Sequence, residues 1–139
     1  MASRTLSLVI VFLCALLSVT GCKKDEFVNE TLDQVGVLAT EMTEAVEKAD
    51  DKKEGVAAAR KVFDDKKGDL GDKLAELKTL RGFQVSEETQ KKMATDLMKH
   101  VAAVEKLRIT LMSQTRKDSE LDAELKSLLG DFRSLLLSA

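Results

Sequence analysis

The chain has 139 residues, with 22 Lys and Arg against 24 Asp and Glu, a formal charge of −2 and a single histidine. So even a balance does not suggest a nucleic-acid partner. With no Trp or Tyr and only five Phe, it lacks the rings on which sugar and peptide clefts usually rely. Proline is absent while Ala, Leu, Glu, Lys and Asp abound, which predicts an all-α chain.

The first 22 residues differ in composition from the rest. Arg4 is the only charge before Lys23, and Leu6 to Leu17 (LSLVIVFLCALL) is apolar apart from Ser7. A run of about twelve is too short to span a bilayer core of ~30 Å. Behind a positive residue it has the form of a secretory signal. Val19-Thr20-Gly21-Cys22 follows: an aliphatic residue, two small ones, then cysteine, ahead of the polar Lys23-Lys24-Asp25-Glu26.

This flank resembles the lipobox of bacterial lipoproteins. Small residues let an extended backbone enter a membrane protease, and the thiol is the nucleophile that takes a diacylglyceryl group. The resemblance is confined to the leader. It implies cleavage between Gly21 and Cys22, lipid on Cys22, and attachment to a membrane through acyl chains at ~0.8 kcal/mol per buried methylene. In enterobacterial lipoproteins Asp after the cysteine favours inner-membrane retention. Lys23 here points instead to the outer membrane, with the domain in the periplasm. Cys14 would leave with the signal, so 118 residues of net charge −3 remain, with no free thiol. They must hold together by packing. The expected division is 1–21 signal peptide, 22–27 anchor and short linker, and 28–139 one helical domain.

Four helices are predicted in that domain from apolar residues recurring every three or four positions. Val28, Leu32, Val35, Ala39, Met42, Val46 and Ala49 mark a helix over 28–49, with Asn29 a cap if its start frays. Asp51-Lys52-Lys53-Glu54 resembles a capping box and opens a second, over 52–81, through Val56, Ala59, Phe63, Leu70, Leu74 and Leu77. Gly55, Gly68 and Gly71 weaken it, and Asp64 to Asp72 (DDKKGDLGD) is a candidate kink or break. Gly82-Phe83-Gln84-Val85 is a connection, with Gly82 suited to a left-handed helix end. Ser86 caps a third helix over 86–115 through Met93, Leu97, Val101, Val104, Leu107 and Leu111. Asp118 or Ser119 opens a fourth over 118–137 through Leu121, Leu125, Leu128, Phe132 and Leu135.

The helical phase also runs through both weaker boundaries, so one long antiparallel coiled-coil hairpin is the alternative. Stripe width favours a four-helix up-down bundle. Leu38, Ala45, Ala57, Met98, Ile109, Met112, Leu129 and Leu136 widen the apolar faces beyond a two-helix seam.

Candidate sites are few. His100 and Asp96 share a face at metal-pair spacing, but no second histidine or thiolate completes a ligand set, so His100 reads as a core-edge residue and no metal is expected. The Asp64–Asp72 stretch has lysines where a calcium loop needs oxygens and reads as a solvated face. Met42, Met93, Met98 and Met112 read as core filler. No oriented base accompanies any nucleophile, so no enzyme and no cofactor are predicted. Phe27, Phe83, Val85 and Leu135-Leu136-Leu137 are expected at the anchored end. There, Phe83, Val85, Leu136 and Leu137 either meet the bilayer or a partner, or simply close the base. The expected role is a lipid-anchored, non-catalytic module of the cell envelope that binds or scaffolds another envelope protein. The alternative is a small membrane-active lipoprotein.

Overall fold

A computed structural model describes the backbone of residues 2–137 and the side chains of residues 24–137. The apolar run Leu6–Leu17 and the Val19–Cys22 flank therefore lie outside the described side chains. Five helices occupy the backbone: α1 (Ala2–Lys48), α2 (Lys52–Thr79), α3 (Glu87–Thr110), the single turn α4 (Met112–Thr115) and α5 (Ser119–Leu137). The fold is an all-α bundle, with α4 prolonging α3 beyond Leu111.

Helix ends fall where side chains can satisfy stranded backbone groups. The Asp51 carboxylate accepts from the Lys53 and Glu54 amides at 2.8 and 3.4 Å and opens α2. The next residue serves the helix before it. The Lys52 ammonium donates to the carbonyls of Val46, Glu47 and Ala49 at 3.2, 3.1 and 2.6 Å, closing α1. Asp118 opens α5 by accepting from the Glu120 and Leu121 amides at 3.0 and 3.1 Å. These caps make two hairpins of a phase that could have run on, which decides against the single long hairpin.

Around the bundle the order is α1, α2, α5, α3: α1 packs against α2 and α3, and α5 against α2 and α3. Directions alternate along the chain, yet two of the packed pairs are parallel. Asp25 meets Ser86 near one end of the α1–α3 pair and Gly36 meets His100 further along. Lys53 meets Glu120 at the start of α2 and α5, and Arg60 meets Ser127 and Asp131 beyond. The segment from Leu80 to Ser86 thus crosses the base on a diagonal.

The buried stripes follow the predicted phases on α1, α2 and α5, from Val28 to Val46, Val56 to Leu77 and Leu121 to Leu136. On α3 only Thr89, Val104 and Leu107 are fully buried, whereas Met93, Leu97 and Val101 are half-buried against the core. The reason is that the described part of α5 reaches only part of the way along α2. Leu135 lies against Gly71, and α2 continues eight residues to Thr79, ~12 Å at 1.5 Å per residue. Below that level the bundle has three helices.

Several expectations need correcting. Residues 24–27, predicted as linker, belong to α1, because Lys24 reaches Glu76 at 3.3 Å and Asp25 reaches Ser86. Asn29 therefore caps nothing, and its buried Oδ1 finds no partner among the described residues. The Asp64–Asp72 stretch does not break the helix, which is continuous over Lys52–Thr79. Its lysines pair along and across the helices, Lys67 with Asp64, Lys73 with Asp69 and Lys66 with Glu41. No glycine among the described residues has a positive φ, so Gly82 is not a left-handed cap. The chain leaves α2 through an extended Leu80 instead. Met98 and Met112 are not core filler, nor does Ile109 face inward: all three are exposed, since they lie to one side of the stripe centred on Val104.

Two glycines of α2 separate close approach from mere permissiveness. A Cβ on Gly55 would stand 2.9 Å from Ala49 Cβ and 3.1 Å from the Ala45 carbonyl and Val46 Cα, mostly backbone that cannot yield. Around Gly68 nothing lies within 4 Å. Gly68→Ala should therefore stabilise the fold by up to about 1 kcal/mol through helix propensity, while Gly55→Ala should destabilise it by about 1–3 kcal/mol through overpacking. Urea unfolding of the two variants checks both signs.

Candidate functional site

Two regions gather the side chains singled out from the sequence. The first is the base, where α1, the end of α2 and the start of α3 meet. The Ser86 amide donates to the Asp25 carboxylate at 2.8 Å, and the Ser86 hydroxyl in turn accepts from the Thr89 amide at 3.2 Å to cap α3. The Ser86 amide, with smaller help from the Ser86 and Thr89 hydroxyls, holds the Asp25 carboxyl below its ordinary value. The Gln90 side-chain amide donates to the carbonyls of Gly82 and Val85 at 2.9 Å each, so the crossing segment is pinned from above. Val28, Leu77, Val85 and Met93 line a cleft of about 150 Å³ there.

The four proposed contact residues do not share one surface. Val85 is buried beneath the crossing segment and Leu136 is buried in the α5 stripe, so neither is presented outward. Phe83 is 87% exposed at the base. Leu137 is 75% exposed, but about two turns above the base because α5 ends level with Gly71. The C-terminal leucines thus do not gather with Phe83. Three consecutive leucines on one helix necessarily point in different directions, and only Leu136 completes the core.

The second region is the groove between α1 and α3, about 670 Å³ and open to solvent, with Asp33, Gly36, Asp96 and His100 among its walls. Gly36 makes this contact possible: a Cβ there would lie 2.9 Å from His100 Cε1. His100 therefore lies flat on the α1 backbone. Asp96 faces Lys92 at 2.7 Å, and that hydrogen bond holds its carboxyl below the ordinary value. Among the described residues no group of three or more His, Cys, Asp and Glu is arranged to hold a metal ion. A third groove, about 530 Å³ between α2 and α5, is bridged by Arg60 to Asp131 at 2.6 Å and to Ser127 at 2.9 Å.

Comparison with known proteins adds no relative: no family model, no curated protein and no solved structure matches the chain.

The feature that sequence reasoning missed is the tie between Asp25 and Ser86. Its partners are 61 residues apart, and Asp25 stands in a run of charges that looks like linker. No local signal marks it.

Two predictions follow from this geometry. Leu136→Ala should cost about 2–5 kcal/mol as a core truncation, whereas Leu137→Ala and Phe83→Ala should stay within about 0.5 kcal/mol; chemical denaturation separates them. Burial pushes the His100 imidazole below its ordinary value of 6.5, with Asp96 and Asp33 pulling upward and Lys99 and Lys92 downward. The folded chain thus resists protonating a ring that the unfolded chain protonates at 6.5. This term is absent above that pH and destabilises the fold as pH falls through it. His100→Gln should lose less melting temperature than the parent chain between about pH 7 and about pH 5.

Proposed function

We propose that the chain is a lipid-anchored protein of the bacterial cell envelope, cut before Cys22, whose helical domain is a non-catalytic module that binds or scaffolds an envelope protein. The observation that carries the reading is the sequence Val19-Thr20-Gly21-Cys22, set between the apolar run and the polar Lys23-Lys24-Asp25-Glu26. Cysteine after a small residue at that junction has a chemical reason, since the thiol is the group acylated.

The local fold is in keeping with a short tether. Lys24 stands two residues beyond Cys22 and already pairs with Glu76 inside the bundle. A diacylated Cys22 would therefore hold the base, with Phe83, directly against a membrane. Among the described residues no helix is long and apolar enough to cross one. The non-catalytic part of the reading rests on His100, the chain's one histidine, which packs on Gly36 and has no second histidine or thiolate to complete a site. Residue Lys23 supports the outer membrane as the address.

Metabolic labelling with radioactive palmitate tests the anchor. Label should enter the parent protein and be lost in Cys22→Ser, which should also move from the membrane fraction or accumulate uncleaved. Label retained by Cys22→Ser would overturn the assignment. Cross-linking in intact envelopes, with Cys22 kept, tests the module: a reproducible protein neighbour is expected, and its absence removes the scaffold half of the reading.

A further inference from the structure

The outward face of α3 and α4 carries three of the six exposed large apolar side chains among the described residues. Met98 and Ile109 are 70% and 74% exposed and lie three turns apart on nearly one line, ~16 Å along the axis. Met112 continues the line on α4, 48% exposed, with Arg116 Nη2 against its sulfur at 3.8 Å. Ala102 and Glu105 occupy the positions between Met98 and Ile109, and Glu105 is drawn toward Arg133 on α5. Large apolar side chains left exposed in a row are unusual on a bundle surface and mark a contact.

Charge says what kind. Residues 90–117 hold seven Lys and Arg against only two acids, Asp96 and Glu105. Both acids are already engaged, Asp96 by Lys92 and Glu105 by Arg133 across to α5. Lys99, Lys106, Arg108 and Lys117 make no salt bridge among the described residues. These cations flank the Met98–Ile109–Met112 line on both sides. Long basic side chains beside an apolar line can lower their methylenes with it and keep their charges at the level of phosphates. The face is also a convex helix surface, and of its residues only Lys99 stands in the wall of a cleft described above, the α1–α3 groove. A protein partner would need a matching groove, whereas a bilayer needs no complementary shape.

We infer that this face of α3 and α4 docks on an anionic phospholipid surface, with Met98, Ile109 and Met112 entering the headgroup layer and Lys99, Lys106 and Arg108 contacting phosphates. The inference extends the tether reading without requiring Cys22. It also fits the parallel packing of α1 and α3: the Asp25–Ser86 tie brings the start of α3 beside the cysteine end of α1. A bundle laid down along α3 keeps that end within reach of the same bilayer.

The test uses the full chain with Cys14→Ala, Cys22→Ser and Ile109→Cys, labelled at position 109 with a polarity-sensitive fluorophore. Vesicles of phosphatidylcholine are compared with vesicles that also contain phosphatidylglycerol, and flotation confirms that the chain is bound. A blue shift is expected only with the anionic vesicles and should reverse in high salt. Apparent affinity for that shift should fall by about tenfold or more in Lys99→Glu/Lys106→Glu/Arg108→Glu, with helicity unchanged by circular dichroism. A probe at Glu124→Cys on the outside of α5 should stay in water. An equal shift on neutral vesicles, no shift on anionic vesicles that carry the chain, or indifference to the charge reversal would each overturn the inference. A shift that follows protein concentration without vesicles would also overturn it, by assigning the face to a second copy. Because Cys22 is absent throughout, failure here leaves the palmitate experiment untouched, and the reverse holds too.

Discussion

The turn between α1 and α2 is closed by two neighbouring side chains that serve opposite helix ends. Asp51 accepts the first free amides of α2, and the ammonium of Lys52 takes the last free carbonyls of α1. Each helix end leaves several backbone groups unpaired, and each group left buried and unpaired costs about 1–3 kcal/mol. With both sets satisfied within two residues, the chain reverses where the apolar phase alone would carry it straight on. The packing below the turn follows from that. Gly55 lets α2 fold back within van der Waals contact of Ala49, and the α1 and α2 stripes face each other from Val46 and Val56 downward. Asp118 does the same for α5, and two hairpins with wide apolar faces can then bury one core between them.

Local physics of this sort was legible in the sequence. Carboxylates and hydroxyls ahead of apolar repeats marked the starts of α2, α3 and α5, and the stripes of α1, α2 and α5 matched the buried residues except at Ala49, past the end of α1, and at Leu135, where Leu136 is buried instead. What was not legible depends on partners far along the chain. Lys24 and Asp25 look like linker until Glu76 and Ser86 stand beside them. Leu135 to Leu137 look like one cluster until the length of α5 relative to α2 is known, after which Leu136 is core and Leu137 is surface. The α3 stripe was drawn too wide for a similar reason. A run that includes Met98, Ile109 and Met112 fits a helix flanked on two sides, and α3 has α1 and α5 beside it but water opposite. Of the candidate site, nothing local ranked Phe83 above Val85.

The order of the helices around the bundle has a separate cause. Hydrophobic stripes are nearly indifferent to which helix stands beside which, because the same residues could be buried in either cyclic order. Charge is not indifferent. The described part of α1, residues 24–48, has seven acids and two bases, and α5 has four and two. α2 has eight bases and six acids, and α3 five and four. The two acidic helices occupy one diagonal and the two basic helices the other, so every packed pair joins opposite signs. Three of the five bridges across helices follow that pattern, Glu41 to Lys66, Glu120 to Lys53 and Asp131 to Arg60, while Lys24 to Glu76 and Arg133 to Glu105 run the other way. Placing the helices in sequence order around the square would set α2 beside α3 and α1 beside α5, like beside like. Each exposed pair is worth at most about 1 kcal/mol. Their sum acts as a choice between two arrangements with similar cores, the setting in which small electrostatic terms decide. The diagonal path of residues 80–86, pinned by Gln90 and Asp25, goes with that order.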